Sequence, residues 1–537
     1  MNQRVNSGAR VSAPRVVRAL AERIGRLIGE KAGSALWCAG LGAALVLAVG
    51  IALSAALNIW LDEAFTMHTT GAGIGMAWMQ SVRFEDQPPL YFLIEAAWRL
   101  WDQTSITFAR MPSVLFAALA VAVIVGAAHR MAPRTPPLLV ALIAAVHPVI
   151  LWAAVEMRVY ALVLLIGAVL TWSFFEGFLV ARPSRNARIV YVVAALAGLY
   201  TQYFVGFVLV AHGLTLLALR RRGLCAFVGL MLIVAAGFAP FVPVALAQVH
   251  SPGDSIGHAT LGAATHAVVN VAFAYALPHD LGWSGAFKLL GFGTAASLAL
   301  AFGVAGRPAF ANSANRGIFL ELGFALAIFS AVFAVVGMPF DLVRHLIVLV
   351  PATLLALCVG VSSLRRMRLL GAALTAAVVG AFAATQLAQQ YPLPLAKQGD
   401  WQRVAAVLAA DDGRAPIAVF PAELALPLRA YTPVATIAIP RPMPFELDYV
   451  AATALTDVAD VARVLEPVRA RSERIWVVTE NLCRPADIAV YDYHCRFLEA
   501  YLTHRYRLEK TVLFRGTVAR RYVRAGDSVG DSFNEKG

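Results

Sequence analysis

Apolar runs of about 20 residues recur along most of this chain, separated by short polar turns; about that many are needed for a helix to cross the hydrocarbon core. Spans are predicted near 36–57, 110–128, 136–153, 157–178, 189–204, 205–219, 224–247, 284–304, 317–336, 343–362 and 368–390. The pattern predicts an α-helical polytopic membrane protein of about 11 spans. The first run is long and no A-x-A cleavage site follows it, which reads as an anchor rather than a signal peptide.

Residues 88–101 interrupt the pattern. This run is too short to span, and Glu95, Arg99 and Asp102 recur at helical spacing on one face. Pro88-Pro89 suits a helix start, and Trp98 and Trp101 suit the headgroup zone. The expectation is an interfacial helix within an outer loop, 58–109.

After residue 390 the chain becomes polar. Helix-like segments at 400–410 and 456–471 alternate with apolar, strand-like runs at 417–420 and 475–479. Such alternation predicts a small C-terminal α/β domain over 391–524, with a disordered tail at 525–537.

Composition agrees with the pattern: 59% of the 537 residues are hydrophobic and 14% charged, whereas soluble domains run at about 45–50% and about 25%. The net charge of +13 raises nucleic acid as a partner, but basic residues in a polytopic protein mark cytoplasmic loops, so none is expected. Residues 1–31 alone carry seven Lys/Arg. This bias places the N-terminal segment 1–35 in the cytoplasm. The membrane domain, 36–390, then presents the 58–109 loop outside, and the C-terminal domain is extracytoplasmic. Cys483 and Cys495 fall on that oxidising side, where a disulfide is expected; two unpaired thiols are the alternative.

Two acidic pairs lie in the outer loop, Asp62-Glu63 and Glu85-Asp86. Carboxylates at a membrane surface lose hydration, which suggests catalysis or cation binding. No P-loop, dinucleotide fingerprint or Gly-x-Ser-x-Gly appears.

Several segments occur together in order: Leu61-Asp62-Glu63-Ala64, Gln87-Pro88-Pro89-Leu90-Tyr91-Phe92, and Phe108-Ala109-Arg110-Met111-Pro112-Ser113. His147-Pro148, Glu156-Met157-Arg158-Val159-Tyr160, Leu199-Tyr200-Thr201-Gln202-Tyr203-Phe204 and Arg344-His345 follow. In combination, over roughly 36–360, the chain resembles the polytopic C-type (GT-C) glycosyltransferases. The branch it resembles holds bacterial protein O-mannosyltransferase-like enzymes and the lipid A aminoarabinose and galacturonic acid transferases. Gln87 and Gln202 depart from it, standing where many relatives carry His or Lys, and His, respectively.

The resemblance implies a bacterial inner (cytoplasmic) membrane protein of the cell envelope that transfers a sugar from a polyprenyl-phosphate donor to an outer-face acceptor (glycan, lipid or protein) with inversion. That chemistry needs a base for the acceptor hydroxyl and positive charge for the phosphate. Asp62 is the expected base, with Glu63 as its neighbour; repulsion between them is expected to raise a pKa. Helix capping or simple solvation is the alternative for the pair. With Asp86, the same oxygens offer ligands for a divalent cation; Asp86 alternatively favours the dipole of the following helix. Glu85 reads as solvated.

Arg158 is expected at the donor phosphate, or snorkelling and paired with Glu156. Tyr160 stacks one turn after Glu156. Arg344 is expected at the phosphate, or in a surface pair with Asp341. His345 and Lys288 are weaker candidates, and Gln87 is expected to touch substrate. A transporter of lipid-linked sugars and a glycan ligase using a polyprenyl diphosphate remain as alternatives. A transporter would place its ionisable residues near mid-bilayer and show repeat symmetry, which this chain lacks.

Overall fold

The computed structural model of the chain describes residues 35–133, 135–249, 313–336, 343–363, 397, 399–411, 415–446, 448–480, 494–514 and 516–525. Helix α1 (Ala35–Ala56) is followed by three short helices, α2 (Leu61–Gly71), α3 (Ile74–Arg83) and α4 (Leu90–Trp98), and then by the long α5 (Ile106–Met131). Small residues let α1 approach α5 closely. A Cβ at Gly42 or Gly50 would come within 2.9 Å of Val121 or Val114, the small-residue packing that membrane helices favour.

Pro112 lies inside α5 and has no N–H to offer the carbonyl one turn earlier. That carbonyl, on Phe108, instead accepts from Trp98 Nε1 at 2.9 Å. The proline thus creates the anchor for the end of α4. Helix α4 turns its polar face into the protein. Glu95 and Arg99 of that face are buried, whereas Trp101 is 78% exposed.

The run predicted as one span at 136–153 is two helices, α6 (Pro137–Ala145) and α7 (Pro148–Ala154). Pro148 lacks the N–H that a continuous helix requires at that point, so the chain breaks at His147. Helix α8 (Tyr160–Phe174) continues as a π turn to Leu179. Helices α9 (Arg185–Leu199), α10 (Val205–Leu219), α11 (Leu224–Phe238), α12 (Val242–Val249), α13 (Ser313–Val336), α14 (Val343–Leu346) and α15 (Val350–Ser363) complete the described bundle. Ser184 caps α9 by accepting from the Ala187 N–H at 3.2 Å.

Among the described residues, five helices are long and apolar enough to cross a membrane: Ala35–Ala56, Ile106–Met131, Tyr160–Leu179, Arg221–Gln248 and Asn315–Val332. The expected spans at 284–304 and 368–390 lie outside the described residues. Within the bundle, His212 meets Tyr191 Oη at 2.8 Å and Glu321 Oε1 at 3.0 Å, and Thr171 donates to Glu321 at 2.7 Å. This chain joins α8, α9, α10 and α13.

A small sheet domain follows. Helix α16 (Trp401–Ala409) leads to β1 (Ile417–Phe420), α17 (Ala425–Arg429), β2 (Thr436–Ala438), α18 (Tyr449–Thr453), α19 (Val458–Arg471) and β3 (Arg474–Glu480). Helix α20 (Cys495–Arg505), β4 (Tyr506–Leu513) and β5 (Thr517–Arg524) close it. The sheet order is β2-β1-β3-β5-β4; β1 runs parallel to β2 and β3, and β5 antiparallel to β3 and β4. Strand side chains alternate between faces. Ala418, Phe420, Ile475 and Val477 pack on α19 and α20. Ile417, Val419, Trp476 and Val478 face α16 and α17, and that second core also takes in Ile59 and Ala64 of the acidic loop. Cys495 is disulfide-bonded; Cys483 lies outside the described residues.

Candidate active site

The acidic loop becomes the first turn of α2, where Asp62 and Glu63 stand side by side. Successive helical residues point about 100° apart, so the two carboxylates part company. Glu63 turns inward and is fully buried. Its Oε1 accepts from Arg110 Nε at 2.8 Å and from the Met157 N–H at 3.1 Å. Its Oε2 accepts from Arg110 Nη2 at 2.8 Å, Lys397 Nζ at 2.8 Å and the Trp60 N–H at 3.4 Å.

Arg110, from the second turn of α5, is buried and uses all five of its N–H donors. Besides the forked pair with Glu63, Nη1 donates to the Ser54 and Leu57 carbonyls and Nη2 to that of Asn58, each within 2.9 Å. The guanidinium therefore caps the carbonyl end of α1 while holding Glu63. Glu156 completes the group: Oε1 lies 3.1 Å from Lys397 Nζ and Oε2 accepts from Trp60 Nε1 at 2.5 Å.

Burial acts against the ionised form of both carboxyls, with different outcomes. At Glu63, burial is outweighed by Arg110 and Lys397, which hold the carboxyl down at about 2. At Glu156, burial prevails with help from the Glu63 charge, and the carboxyl is pushed up to about 7. Burial and the nearby Arg110 push the Lys397 ammonium down.

A second ion pair lies alongside. Arg158 Nη1 donates to Glu85 Oε2 at 2.5 Å, to Thr66 Oγ1 at 3.1 Å and to the Asp62 carbonyl at 3.4 Å. Thr69 donates to the other Glu85 oxygen at 2.9 Å, and Phe92 lies beneath the guanidinium at 5.9 Å. Burial, with the Asp62 charge adding to it, pushes the Glu85 carboxyl up, although Arg158 opposes the shift.

The Asp62 side chain leaves this buried ground. It is 23% exposed, and its Oδ2 lies 3.6 Å from Nη1 of Arg344, itself 36% exposed. The arrangement is a partly open carboxylate beside a partly open guanidinium, set on a floor of buried ion pairs. Such a pair can take a proton from a hydroxyl while balancing the charge of an adjacent anion.

No family model matches the chain, and no curated protein matches it in sequence. Two solved structures of ArnT from Cupriavidus metallidurans do match, one in the apo state and one bound to undecaprenyl phosphate. Each is 13% identical with a TM-score of 0.54, and the match covers 90% of this chain and 97% of the other. This chain has the ArnT fold. The resemblance to polytopic C-type glycosyltransferases read from its motifs holds at the level of the fold. With its long apolar helices, the chain is a multi-pass membrane protein.

On this ArnT-like scaffold, Asp62, Glu63, Glu156, Arg158, Tyr160 and Arg344 come together, although in unexpected pairings. Repulsion was expected to raise a pKa in the acidic pair, but Glu63 is held low by two cations. Glu85, expected to be solvated, is buried against Arg158, so Arg158 pairs with Glu85 rather than with Glu156. Tyr160 is buried and stacks on Trp152 at 4.7 Å. His345 opens the same helical turn as Arg344, its ring 5.1 Å from that of Phe204. Asp86 and Gln87 are half-buried in the turn before α4, where Asp86 adopts φ +52°, a left-handed conformation that Asp tolerates. Lys288 lies outside the described residues.

Asp62, Glu63 and Asp86 do not come together around a cation. Both Glu63 oxygens are taken by Arg110 and Lys397, and no three His, Cys, Asp or Glu side chains among the described residues form a metal site. These residues do not fit a resident metal ion. Two residues of the buried group around Glu63 escaped the sequence reading, Arg110 and Lys397. Arg110 stood within a quoted motif, and a lone Arg in an apolar run was the available signal; Lys397 carried none.

Proposed function

We propose that the chain is a membrane glycosyltransferase that moves one sugar from a polyprenyl-phosphate carrier to an acceptor hydroxyl, with inversion. The observation that carries this reading is the open Asp62–Arg344 pair beside the saturated Glu63. The likeness to ArnT, a lipid A aminoarabinose transferase of which one structure holds undecaprenyl phosphate, supports a lipid-linked donor. The apolar runs support about 11 spans, the likeness to ArnT supports a bacterial inner membrane, and the Lys/Arg bias supports a site and a C-terminal domain that face outside.

In this mechanism Arg344 balances the donor phosphate while Asp62 accepts the proton of the acceptor hydroxyl. The hydroxyl oxygen attacks the anomeric carbon opposite the phosphate. That carbon–oxygen bond breaks, the electron pair leaves on the polyprenyl phosphate, and the configuration inverts. A phosphate is already a good leaving group, so no acid is needed to expel it. Arg158 and Glu85 fix the backbone around Asp62 rather than meeting the donor. The sugar is identified by supplying the purified protein in liposomes with a panel of polyprenyl-phosphate sugars and a crude envelope-lipid acceptor. Consumption of one donor with release of polyprenyl phosphate is expected. Movement of intact donor across the bilayer without consumption would refute the enzyme and favour a transporter.

A further inference from the structure

We infer that Lys397 is a positioning residue, through which the C-terminal domain holds the Asp62-bearing turn against the Arg158 loop. This inference rests on the reading of Asp62 as the base.

The ammonium has three N–H donors and meets three acceptors: Glu63 Oε2 at 2.8 Å, the Val155 carbonyl at 2.7 Å and Glu156 Oε1 at 3.1 Å. It has no donor left for a phosphate, despite its charge and its place near the site. These acceptors belong to two separate segments. Glu63 neighbours Asp62 in the first turn of α2, whereas Val155 and Glu156 precede Arg158. Lys397 ties the segments together, and the Met157 N–H on Glu63 adds a second tie.

Lys397 is itself fixed by the domain that follows it. Gly399 adopts φ +107°, and a Cβ there would fall 2.0 Å from Trp401 Nε1. Asp400 follows at φ +45°. The resulting turn lets Asn58 Nδ2 donate to Asp400 Oδ1 at 3.4 Å and the Gln402 N–H donate to Asn58 Oδ1 at 3.1 Å. From α17's end, Tyr431 Oη accepts the Ile59 N–H at 2.7 Å. With Ile59 and Ala64 in the sheet's second core, these contacts all address residues 58–64. The domain is therefore joined to the segment that carries Asp62, not only to its rim.

Charge balance makes the role testable. The buried group holds two carboxylates, Glu63 and Glu156, and two cations, Arg110 and Lys397. The Tyr431 hydroxyl and the Trp60 indole N–H complete its surroundings. At pH 8, above the value of about 7 to which Glu156 is pushed, removing Lys397 leaves Arg110 alone against two ionised acids. Removing Lys397 and the Glu156 charge together restores neutrality.

The test compares full-length wild type, Lys397→Met and Lys397→Met/Glu156→Gln at pH 8, assayed for sugar transfer in liposomes and for thermal unfolding in detergent. Lys397→Met is expected to lower kcat by about 30-fold or more, with the donor KM within about 3-fold. Its melting temperature should fall by about 5 °C or more. The double variant should recover most of both losses. A raised donor KM at unchanged kcat would make Lys397 a phosphate ligand and overturn the inference; so would a double variant no better than Lys397→Met. If the wild type transfers no sugar from any polyprenyl phosphate, the glycosyltransferase reading fails. The melting comparison then decides separately whether Lys397 ties the domain to the acidic turn.

Discussion

Exchanging Glu63 for Gln should damage the fold, whereas the same exchange at Asp62 should damage only the reaction. Glu63 is fully buried and accepts five N–H bonds on two oxygens. A glutamine keeps one acceptor oxygen and turns an NH2 toward donors at the other position. It also leaves Arg110 and Lys397 with Glu156 as their only buried carboxylate. Removing one partner of a buried ion pair costs about 3–5 kcal/mol. Asp62 is partly exposed and its pair with Arg344 spans 3.6 Å, so its loss costs at most about 1 kcal/mol. Thermal unfolding in one detergent, followed by tryptophan fluorescence, would compare the two variants with wild type. Glu63→Gln should melt several degrees lower, and Asp62→Asn near wild type although inactive. Equal destabilisation by the two exchanges, or an unchanged melting point for Glu63→Gln, would refute the division of labour drawn between them.

Glu156 should impose a pH dependence. Its carboxyl is raised to about 7 in the fold, so the native state holds the proton more tightly than the unfolded chain does. Its contribution to stability is then full below the ordinary carboxylate range and lost as pH rises through about 7. Melting curves between pH 5 and 8 should be flatter for Glu156→Gln than for wild type; parallel curves would contradict the assignment. Glu63, held at about 2, contributes with the opposite sign. Its stabilisation persists above the ordinary carboxylate range and fades as pH falls toward about 2, so acid melts of wild type at neutralised Glu156 should show a loss that Glu63→Gln lacks. Arg344→Ala should raise the donor KM by about 10-fold or more, while costing at most about 1 kcal/mol in stability; an unchanged KM would remove Arg344 from the phosphate. Trp98→Phe should destabilise by about 1 kcal/mol, because the Phe108 carbonyl freed by Pro112 loses its donor, and a melting point equal to wild type would show that this bond adds nothing.

Much of the bundle was legible because a membrane span is written as a long apolar run, and α1, α5 and α8 lie close to where those runs predict. The break between α6 and α7 was also written in the chain, as Pro148, but a run-length criterion averages over one proline. In the C-terminal domain the buried strands β1 and β3 were legible as apolar runs. Strands β4 and β5 were not, because β4 is largely exposed and its residues read as polar loop. Asp62 and Glu63 were visible as costly charges at a membrane surface, yet their separate roles were not. That difference depends on Arg110, 47 positions along, and on Lys397, 334 positions along, which no local pattern encodes. Glu85 was misread for the same reason, since its partner Arg158 lies 73 positions away.

The central claim is that Asp62 removes the acceptor proton. Single-turnover transfer from a preformed complex with the polyprenyl-phosphate donor, comparing wild type with Asp62→Asn, tests it most directly. Loss of a general base should slow the chemical step by about 100- to 10,000-fold, with donor binding and melting temperature preserved and the wild-type product inverted at the anomeric carbon. Transfer by Asp62→Asn at the wild-type rate would contradict the account.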